Sequence, residues 1–97
     1  MDSKKEFIPK ELASTYELDD GRIIHTTNHS DCRMKQRRIS IEDVIETFKN
    51  PTFIVPNVEY SNAQNYMRRD SNGIFKIGIK DATEPIVIIT VFYIKNE

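Results

Sequence analysis

The sequence has little of several features that define particular protein classes. Cys32 is its only cysteine, and it has no tryptophan. A single thiol excludes an internal disulfide and a metal site built from cysteines. No apolar run approaches the roughly 20 residues that a membrane-spanning helix requires, and residues 1–6 lack the apolar stretch of a signal peptide. We therefore expect a cytoplasmic protein, or a domain of a larger secreted chain.

The chain is nearly neutral, but its charge is unevenly distributed. Its 97 residues suffice for one domain with a single core, and the formal net charge is −1. Residues 1–20 contain three Lys against six Asp and Glu, whereas residues 22–38 contain five Lys and Arg against one Asp. A neutral chain with a local basic patch favours a specific phosphate site over a general nucleic-acid coat.

Capping residues in the middle of the chain indicate two helices. Thr27 or Asn28 is suited to begin the first helix, because its side-chain oxygen can accept a hydrogen bond from the first turn. Ser40 is suited to begin the second helix in the same way, and Asn50-Pro51 ends it. A short strand over residues 22–26 precedes the first helix.

The second half of the chain has the pattern of strands. Asn72-Gly73 indicates a tight hairpin, and residues 86–94, the most apolar run, indicate a central strand. We predict an α+β fold in which two N-terminal helices pack on an antiparallel sheet of about four strands. In this prediction residues 1–21 are an acidic, mobile arm, and residues 22–97 are a single domain.

A row of basic side chains on the first helix is the sharpest chemical signal in the sequence. His29, Arg33 and Arg37 follow one another at intervals of four residues and therefore share one helix face. Since these groups repel one another, local stability does not explain the arrangement. A phosphate along that face would relieve the repulsion, because Arg offers a planar fork of donors and His transfers protons near neutral pH.

The spacing His-x-x-x-Arg-Met-x-x-Arg-x-Ile-Ser resembles a family of small bacterial and phage domains grouped with the barnase–EndoU–colicin–RelE-like (BECR) fold of RNase toxins. The motif residues are His29, Arg33, Met34, Arg37, Ile39 and Ser40, and the likeness covers about residues 22–95. The resemblance implies a RelE-like fold and a metal-independent, toxin-type endoribonuclease, with transfer RNA and messenger RNA both open as substrates. It also implies an antitoxin or immunity protein as partner, and delivery into a target-cell cytoplasm where the chain is part of a secreted toxin.

The chemistry of such a ribonuclease suggests catalytic roles for three residues. Cleavage that leaves a 2′,3′-cyclic phosphate needs a base for the 2′-OH, cations at the phosphate and an acid for the leaving oxygen. His29 is the candidate acid or base, Arg33 the candidate phosphate clamp, and Thr90 a hydroxyl that orients the phosphate or His29. The alternatives are a helix-start histidine bonded to the backbone, a solvated basic face and ordinary strand packing.

Candidates for RNA binding are Arg37, Tyr66, Arg68 and Tyr93. Arg37 is a second phosphate clamp, or part of a solvated face paired with Asp31 or Glu42. Tyr66 and Arg68 share one face of the hairpin, which suits base stacking and a phosphate contact; a solvated hairpin is the alternative. Tyr93 offers a hydroxyl or a stacking ring, with packing at a strand edge as the alternative.

Strand alternation limits how these residues combine. It places Thr90 on one face with Ile88 and Phe92, and Tyr93 on the other face. Thr90 and Tyr93 therefore share a site only if a bulge or the strand end intervenes.

We predict neither a metal nor a cofactor. His25 and His29 lie across a strand–helix junction, so they are not a helical pair, and further ligands are not evident in the sequence. The other function that the residues allow is a non-catalytic RNA- or protein-binding module on the same fold. The near-zero net charge favours that alternative, because many small ribonucleases are basic.

Overall fold

The computed structural model describes residues 4–96, which form two helices beside a six-stranded sheet. In chain order the elements are β1 (Leu12–Glu17), β2 (Ile23–Thr27), α1 (Asn28–Arg37), α2 (Ile41–Lys49), β3 (Phe53–Pro56), β4 (Ala63–Arg69), β5 (Gly73–Lys80) and β6 (Ile86–Lys95). The strands lie in the order β1-β2-β6-β5-β4-β3, with β2 and β6 parallel and all other neighbours antiparallel. Neither helix in this described part of the chain is long and apolar enough to cross a membrane.

The predicted fold class was wrong in the number, direction and order of the strands. A mixed sheet of six strands replaces the expected antiparallel sheet of about four, and β1 precedes the strand predicted over residues 22–26, which is β2. β1 lies within the stretch predicted to be an arm. Its two partly buried residues are Ser14 and Tyr16, and because Ser14 is polar the sequence shows little alternation of apolar and polar residues. The parallel pairing of Ile24–Thr26 with Ile86–Ile88 joins segments far apart in the chain, which local patterns do not reveal.

The predicted helix starts and the predicted stop are confirmed. Thr27 Oγ1 accepts a hydrogen bond from the Ser30 N–H (3.0 Å), and Ser30 Oγ accepts one from the Thr27 N–H (2.9 Å). This reciprocal capping box fixes the first turn of α1. Ser40 caps α2 by accepting from the Asp43 N–H (3.1 Å), and α2 ends immediately before Asn50-Pro51.

The core lies between the two helices and one face of the sheet, which we call the helix face. Ile24 of β2, Val44 of α2, Ile77 of β5 and Val91 of β6 are fully buried there. Burying each such side chain stabilises the fold by roughly 1.5–3 kcal/mol. Since both helices pack on this side, the opposite face of the central strands, which we call the cleft face, is left for other contacts.

A β-bulge in β6 decides which of its side chains reach the core. Gly78 of β5 pairs with Thr90. The next residue of β5, Ile79, pairs with Ile88, so Ile89 is an extra residue in β6. As a result Ile88 packs in the core, whereas Thr90 lies on the cleft face. The uniform alternation that placed Ile88 and Thr90 on one face was therefore wrong.

Candidate functional site

A cleft of about 430 Å³ opens on the cleft face of the sheet. It lies over β4, β5 and β6, between the start of α1 and the loop that follows β3. The residues that line it are His29, Asn57, Val58, Glu59, Tyr60, Asn65, Lys76, Ile89, Thr90 and Phe92. Its volume is within the range of small-molecule and cofactor sites. His29 and Thr90, two of the three predicted catalytic residues, therefore lie in the same cleft.

The start of α1 brings His29 to the cleft. Since β2 ends at Thr27 and α1 begins at the next residue, the capping box between Thr27 and Ser30 sets the direction of the first turn. Ser30 is completely buried below this turn, whereas His29 is exposed. The histidine is thus held by the backbone around it, and its ring is free to contact a ligand.

The floor of the cleft depends on the absence of a side chain at Gly78. A Cβ atom there would lie 2.7 Å from Thr90 Cγ2 and 3.5 Å from Asn65 Oδ1. The backbone of Gly78 needs no unusual conformation, so glycine is required here for space. The bulge at Ile89 and the glycine at position 78 act together, because one places Thr90 on this face and the other leaves it room.

The loop after β3 forms the opposite wall and is held in place by Asn57. Asn57 Oδ1 accepts hydrogen bonds from the N–H groups of Glu59 and Tyr60, both at 2.8 Å. Its amide nitrogen donates to Asn65 Oδ1 at 2.9 Å, a contact that is buried. The Lys5 N–H donates to the Glu59 carbonyl at 3.0 Å, which ties the N-terminal segment to this wall. Asn57 is therefore a structural residue, and its bond leaves the amide nitrogen of Asn65 available.

Several polar groups without a hydrogen-bond or ion-pair partner among the described residues line the cleft. The His29 ring, the Asn65 amide nitrogen, the Lys76 ammonium and the Thr90 hydroxyl make no hydrogen bond or ion pair with any residue from 4 to 96. Solvent reaches these groups, because no buried side-chain polar atom among residues 4–96 lacks a hydrogen-bond partner. Three of these groups can donate hydrogen bonds whatever their charge, and the Lys76 ammonium adds a positive charge. Glu59 also lines the cleft and offsets this charge, so the hydrogen-bond donors are what suit a ligand with several acceptor oxygens, such as a phosphate.

The two arginines of the predicted basic row do not line the cleft. Arg33 donates to Gln36 Oε1 at 2.7 Å on the surface of α1. Arg37 donates to the Val91 carbonyl at 2.7 Å, and its guanidinium carbon lies 4.1 Å from the centroid of the Phe92 ring. Arg37 thus contacts the back of a ring that lines the cleft, whereas Arg33 lies apart from it. The pairing of Arg37 with Asp31 or Glu42, the alternative from the sequence, is not observed.

Tyr66 and Arg68 lie on the helix face, where they contact the core. Tyr66 packs against Phe48 at 5.4 Å between centroids and donates to the Asp81 carboxylate. The pKa of Tyr66 is raised, chiefly because the side chain is buried and next because of that hydrogen bond. Arg68 donates to Thr47 Oγ1 at 3.0 Å and forms an ion pair with Asp43 at 3.3 Å. The structure therefore separates both residues from the cleft.

Tyr93 also lies on the helix face and contributes to the end of the β4–β5 hairpin. Its ring is 4.6 Å from that of Phe75, and its hydroxyl donates to Asp70 Oδ1 at 2.8 Å. Asp70 Oδ1 also accepts from the N–H groups of Asn72 and Gly73, at 2.8 and 2.7 Å. The pKa of Asp70 is lowered from its ordinary value of 3.8, chiefly by the hydrogen bond from the Asn72 N–H and next by the one from the Tyr93 hydroxyl.

Replacing Asp70 with alanine is expected to lower the unfolding temperature by a few degrees at neutral pH. Because the folded-state pKa is depressed, the charged carboxylate stabilises the fold above its unfolded pKa, and this contribution is lost as the pH falls through the folded pKa. The difference between Asp70→Ala and the wild type should therefore shrink as the pH falls below the ordinary carboxylate value of 3.8 and through the lower folded-state pKa. Thermal melts across this range measure it, with Glu11→Ala, an exposed carboxylate outside any turn, as control. An equal difference at all pH values would contradict the account.

The second histidine is separate from the first. His25 Nδ1 lies 3.1 Å from Thr15 Oγ1 across the β1–β2 pair. Within residues 4–96, no three His, Cys, Asp or Glu side chains come together in a way that could hold a metal ion. His25 is therefore useful chiefly as a control for the role of His29.

Sequence reasoning missed Lys76, Asn65 and Gly78 as members of the site. A signal for two of them was present, because β5 alternates apolar residues with Lys76, Gly78 and Lys80. A lysine and a glycine on one face of a strand flanked by isoleucines indicate an opening on that face. Asn65 had no comparable signal, since it is positioned by a partner in the loop after β3.

The fold and the cleft define a small domain in which one face of a mixed sheet supports the core and the other carries an open polar cleft. A family model described as a domain of unknown function, DUF4258, matches residues 26–93, and the chain belongs to this family. The matched segment runs from β2 to β6 and includes every residue that lines the cleft. No curated protein and no solved structure matches the chain.

Proposed function

We propose that this protein is a metal-independent endoribonuclease that binds RNA in the cleft. The 2′-oxygen attacks the adjacent phosphorus, the bond from phosphorus to the 5′-oxygen breaks, and a 2′,3′-cyclic phosphate remains. The observation that carries the proposal is that the His29 ring, the Asn65 amide nitrogen, the Lys76 ammonium and the Thr90 hydroxyl line one cleft without a hydrogen bond or ion pair to residues 4–96. A phosphodiester is a ligand that satisfies all four groups together.

The chemistry assigns a separate task to each group. The proton on the 2′-OH must leave, and the 5′-oxygen must gain one. His29 is suited to one of these transfers, because imidazole both accepts and donates protons near neutral pH. The Lys76 ammonium stabilises the negative charge that builds on the phosphate oxygens, and the Asn65 and Thr90 donors hold those oxygens in place. Glu59, which also lines the cleft, is a second group able to accept a proton.

The resemblance of the helical motif to the BECR group of RNase toxins supports the same activity. In this proposal the RNA is cleaved in the cytoplasm, and an antitoxin or immunity protein neutralises the enzyme by covering the cleft. Motif residues divide their work: Met34 and Ile39 are buried in the core, whereas His29 faces the cleft. The motif thus combines residues that support the core with a histidine that lines the cleft.

The direct test is to incubate the purified protein with total RNA in excess EDTA and to analyse the ends of the products. We expect discrete fragments ending in 2′,3′-cyclic phosphate. Lys76→Met should lower the cleavage rate at least about tenfold, because a hydrogen bond to a charged group contributes about 1.5–3 kcal/mol. Lys95→Met is the matched control, since Lys95 is an exposed lysine at the end of β6 and does not line the cleft.

Two results would overturn this proposal. Intact RNA after incubation with folded wild-type protein would contradict the proposed ribonuclease activity. Equal losses in Lys76→Met and Lys95→Met would show that general positive charge, and not the cleft, controls the reaction.

A non-catalytic RNA-binding module is the second candidate, and the surroundings of His29 favour it. A histidine that transfers protons is commonly oriented by a hydrogen bond to its second ring nitrogen, whereas the His29 ring has no such bond to any residue from 4 to 96. In this case RNA would bind without being cut. His29→Ala would then change affinity little, whereas Lys76→Met would weaken binding.

A further inference from the structure

Phe92 is a partly exposed aromatic side chain that lines the cleft beside hydrogen-bonding groups. It lies on β6 with 37% of its surface exposed, and its ring lines the cleft beside Thr90 and Lys76. The Lys76 ammonium lies 5.8 Å from the ring centroid. The exposed part of the ring, beside hydrogen-bonding groups of the cleft, is available for ligand contact.

Arg37 holds this ring from outside the cleft. Its guanidinium carbon is 4.1 Å from the ring centroid, a distance typical of a cation–π contact. The same guanidinium donates to the Val91 carbonyl, so it is anchored to the backbone directly before Phe92. The ring thus contacts two cations: Arg37, which is fixed by its bond to the backbone, and Lys76, which no hydrogen bond or ion pair within residues 4–96 holds in place.

We propose that Phe92, supported by Arg37, is the stacking platform for one unpaired nucleobase of single-stranded RNA. This inference rests on the proposed function and names its substrate class. A base stacked on Phe92 would place its phosphate near the ammonium of Lys76 and the ring of His29. Bases within a duplex already stack on their neighbours, so their faces are not available to the ring.

Oligonucleotide binding tests the platform independently of cleavage. The probe is a fluorescein-labelled single strand of mixed sequence and about eight nucleotides, a length typical of single-strand sites. Its riboses carry 2′-O-methyl groups, so the strand binds but lacks the attacking hydroxyl. Fluorescence anisotropy gives the dissociation constant for this strand and for the same strand annealed to its complement.

Phe92→Leu is expected to weaken single-strand binding about tenfold, because the loss of one base–aromatic stack typically raises the dissociation constant by about that factor. Phe92→Trp should retain binding, which separates stacking from a packing effect. Phe53→Leu is the matched control, since Phe53 is also 37% exposed with a cation, Arg69, 5.6 Å from its ring, but lies on β3 outside the cleft. The duplex should bind more weakly than the single strand.

Salt titration adds a second readout. Lys76→Met should reduce the slope of log affinity against log salt, because it removes a phosphate contact. Phe92→Leu should leave the slope unchanged, because stacking releases no counterions.

Equal binding by Phe92→Leu and the wild type, equal losses in Phe92→Leu and Phe53→Leu, or equal affinity for duplex and single strand would each overturn the platform. Absence of binding by the wild type would also overturn it. If the wild type cleaves RNA while Phe92→Leu binds normally, the platform fails and the ribonuclease stands. If Phe92→Leu weakens binding but the wild type does not cleave RNA, the platform stands and the ribonuclease fails.

Discussion

Replacing His29 with alanine is expected to lower the rate of RNA cleavage by about 10²- to 10⁴-fold, the usual contribution of a general acid or base. His29 is the cleft residue best suited to transfer a proton near neutral pH. Its side chain is exposed and makes no hydrogen bond with residues 4–96, so the fold should be unaffected. RNA affinity should change much less than the rate, because Lys76 and Asn65 remain.

Initial cleavage rates and thermal melts of His29→Ala measure this effect, with His25→Ala beside it. His25 has a hydrogen-bond contact with Thr15 and does not line the cleft, so its removal should leave the cleavage rate close to that of the wild type. Full activity in His29→Ala, with product ends unchanged, would remove His29 from the mechanism. Loss in both variants would indicate a general effect on folding, which the melts would reveal.

Replacing Gly78 with valine is expected to abolish oligonucleotide binding and to destabilise the fold by about 1–3 kcal/mol, the usual cost of overpacking. Even a Cβ atom at this position would lie 2.7 Å from Thr90 Cγ2, closer than van der Waals contact allows. Thr90 is β-branched and cannot easily turn away. The larger valine side chain would occupy the floor of the cleft beside Asn65.

A graded series makes the Gly78 result specific. Gly78→Ala should be milder than Gly78→Val, and adding Thr90→Ser should relieve part of its cost because serine lacks the methyl group that Cβ meets. Denaturant unfolding measures the stability terms, and anisotropy measures binding. Additive effects of Gly78→Ala and Thr90→Ser would contradict direct contact between the two positions. Normal RNA binding by folded Gly78→Val would show that the ligand does not use the floor.

Features controlled by nearby residues were predictable from the sequence. Thr27 and Ser40 cap helices because a side-chain oxygen reaches an N–H three residues later, a contact that depends on local geometry alone. Asn50-Pro51 ends α2 for an equally local reason, because the residue before a proline is disfavoured in a helix. His29 and Thr90 line the same cleft, and their catalytic roles stay predictions.

Features controlled by distant residues were not predictable. The parallel pairing of β2 with β6 joins strands separated in the chain by two helices and three strands, and β1 is a largely exposed edge strand with little apolar alternation. The bulge at Ile89 reverses the expected side of Ile88. Tyr66 and Arg68 share a face as expected, but that face is the one covered by α2.

The measurement that most directly tests the central claim is a nuclear magnetic resonance titration of isotope-labelled protein with the uncleavable 2′-O-methyl strand. It locates RNA on the protein whether or not catalysis occurs. We expect shifts of His29, Asn65, Lys76, Thr90 and Phe92, with little change on the helix face. Shifts concentrated on Tyr66 and Arg68, with the cleft unperturbed, would contradict the account and indicate that RNA binds on the helix face of the sheet.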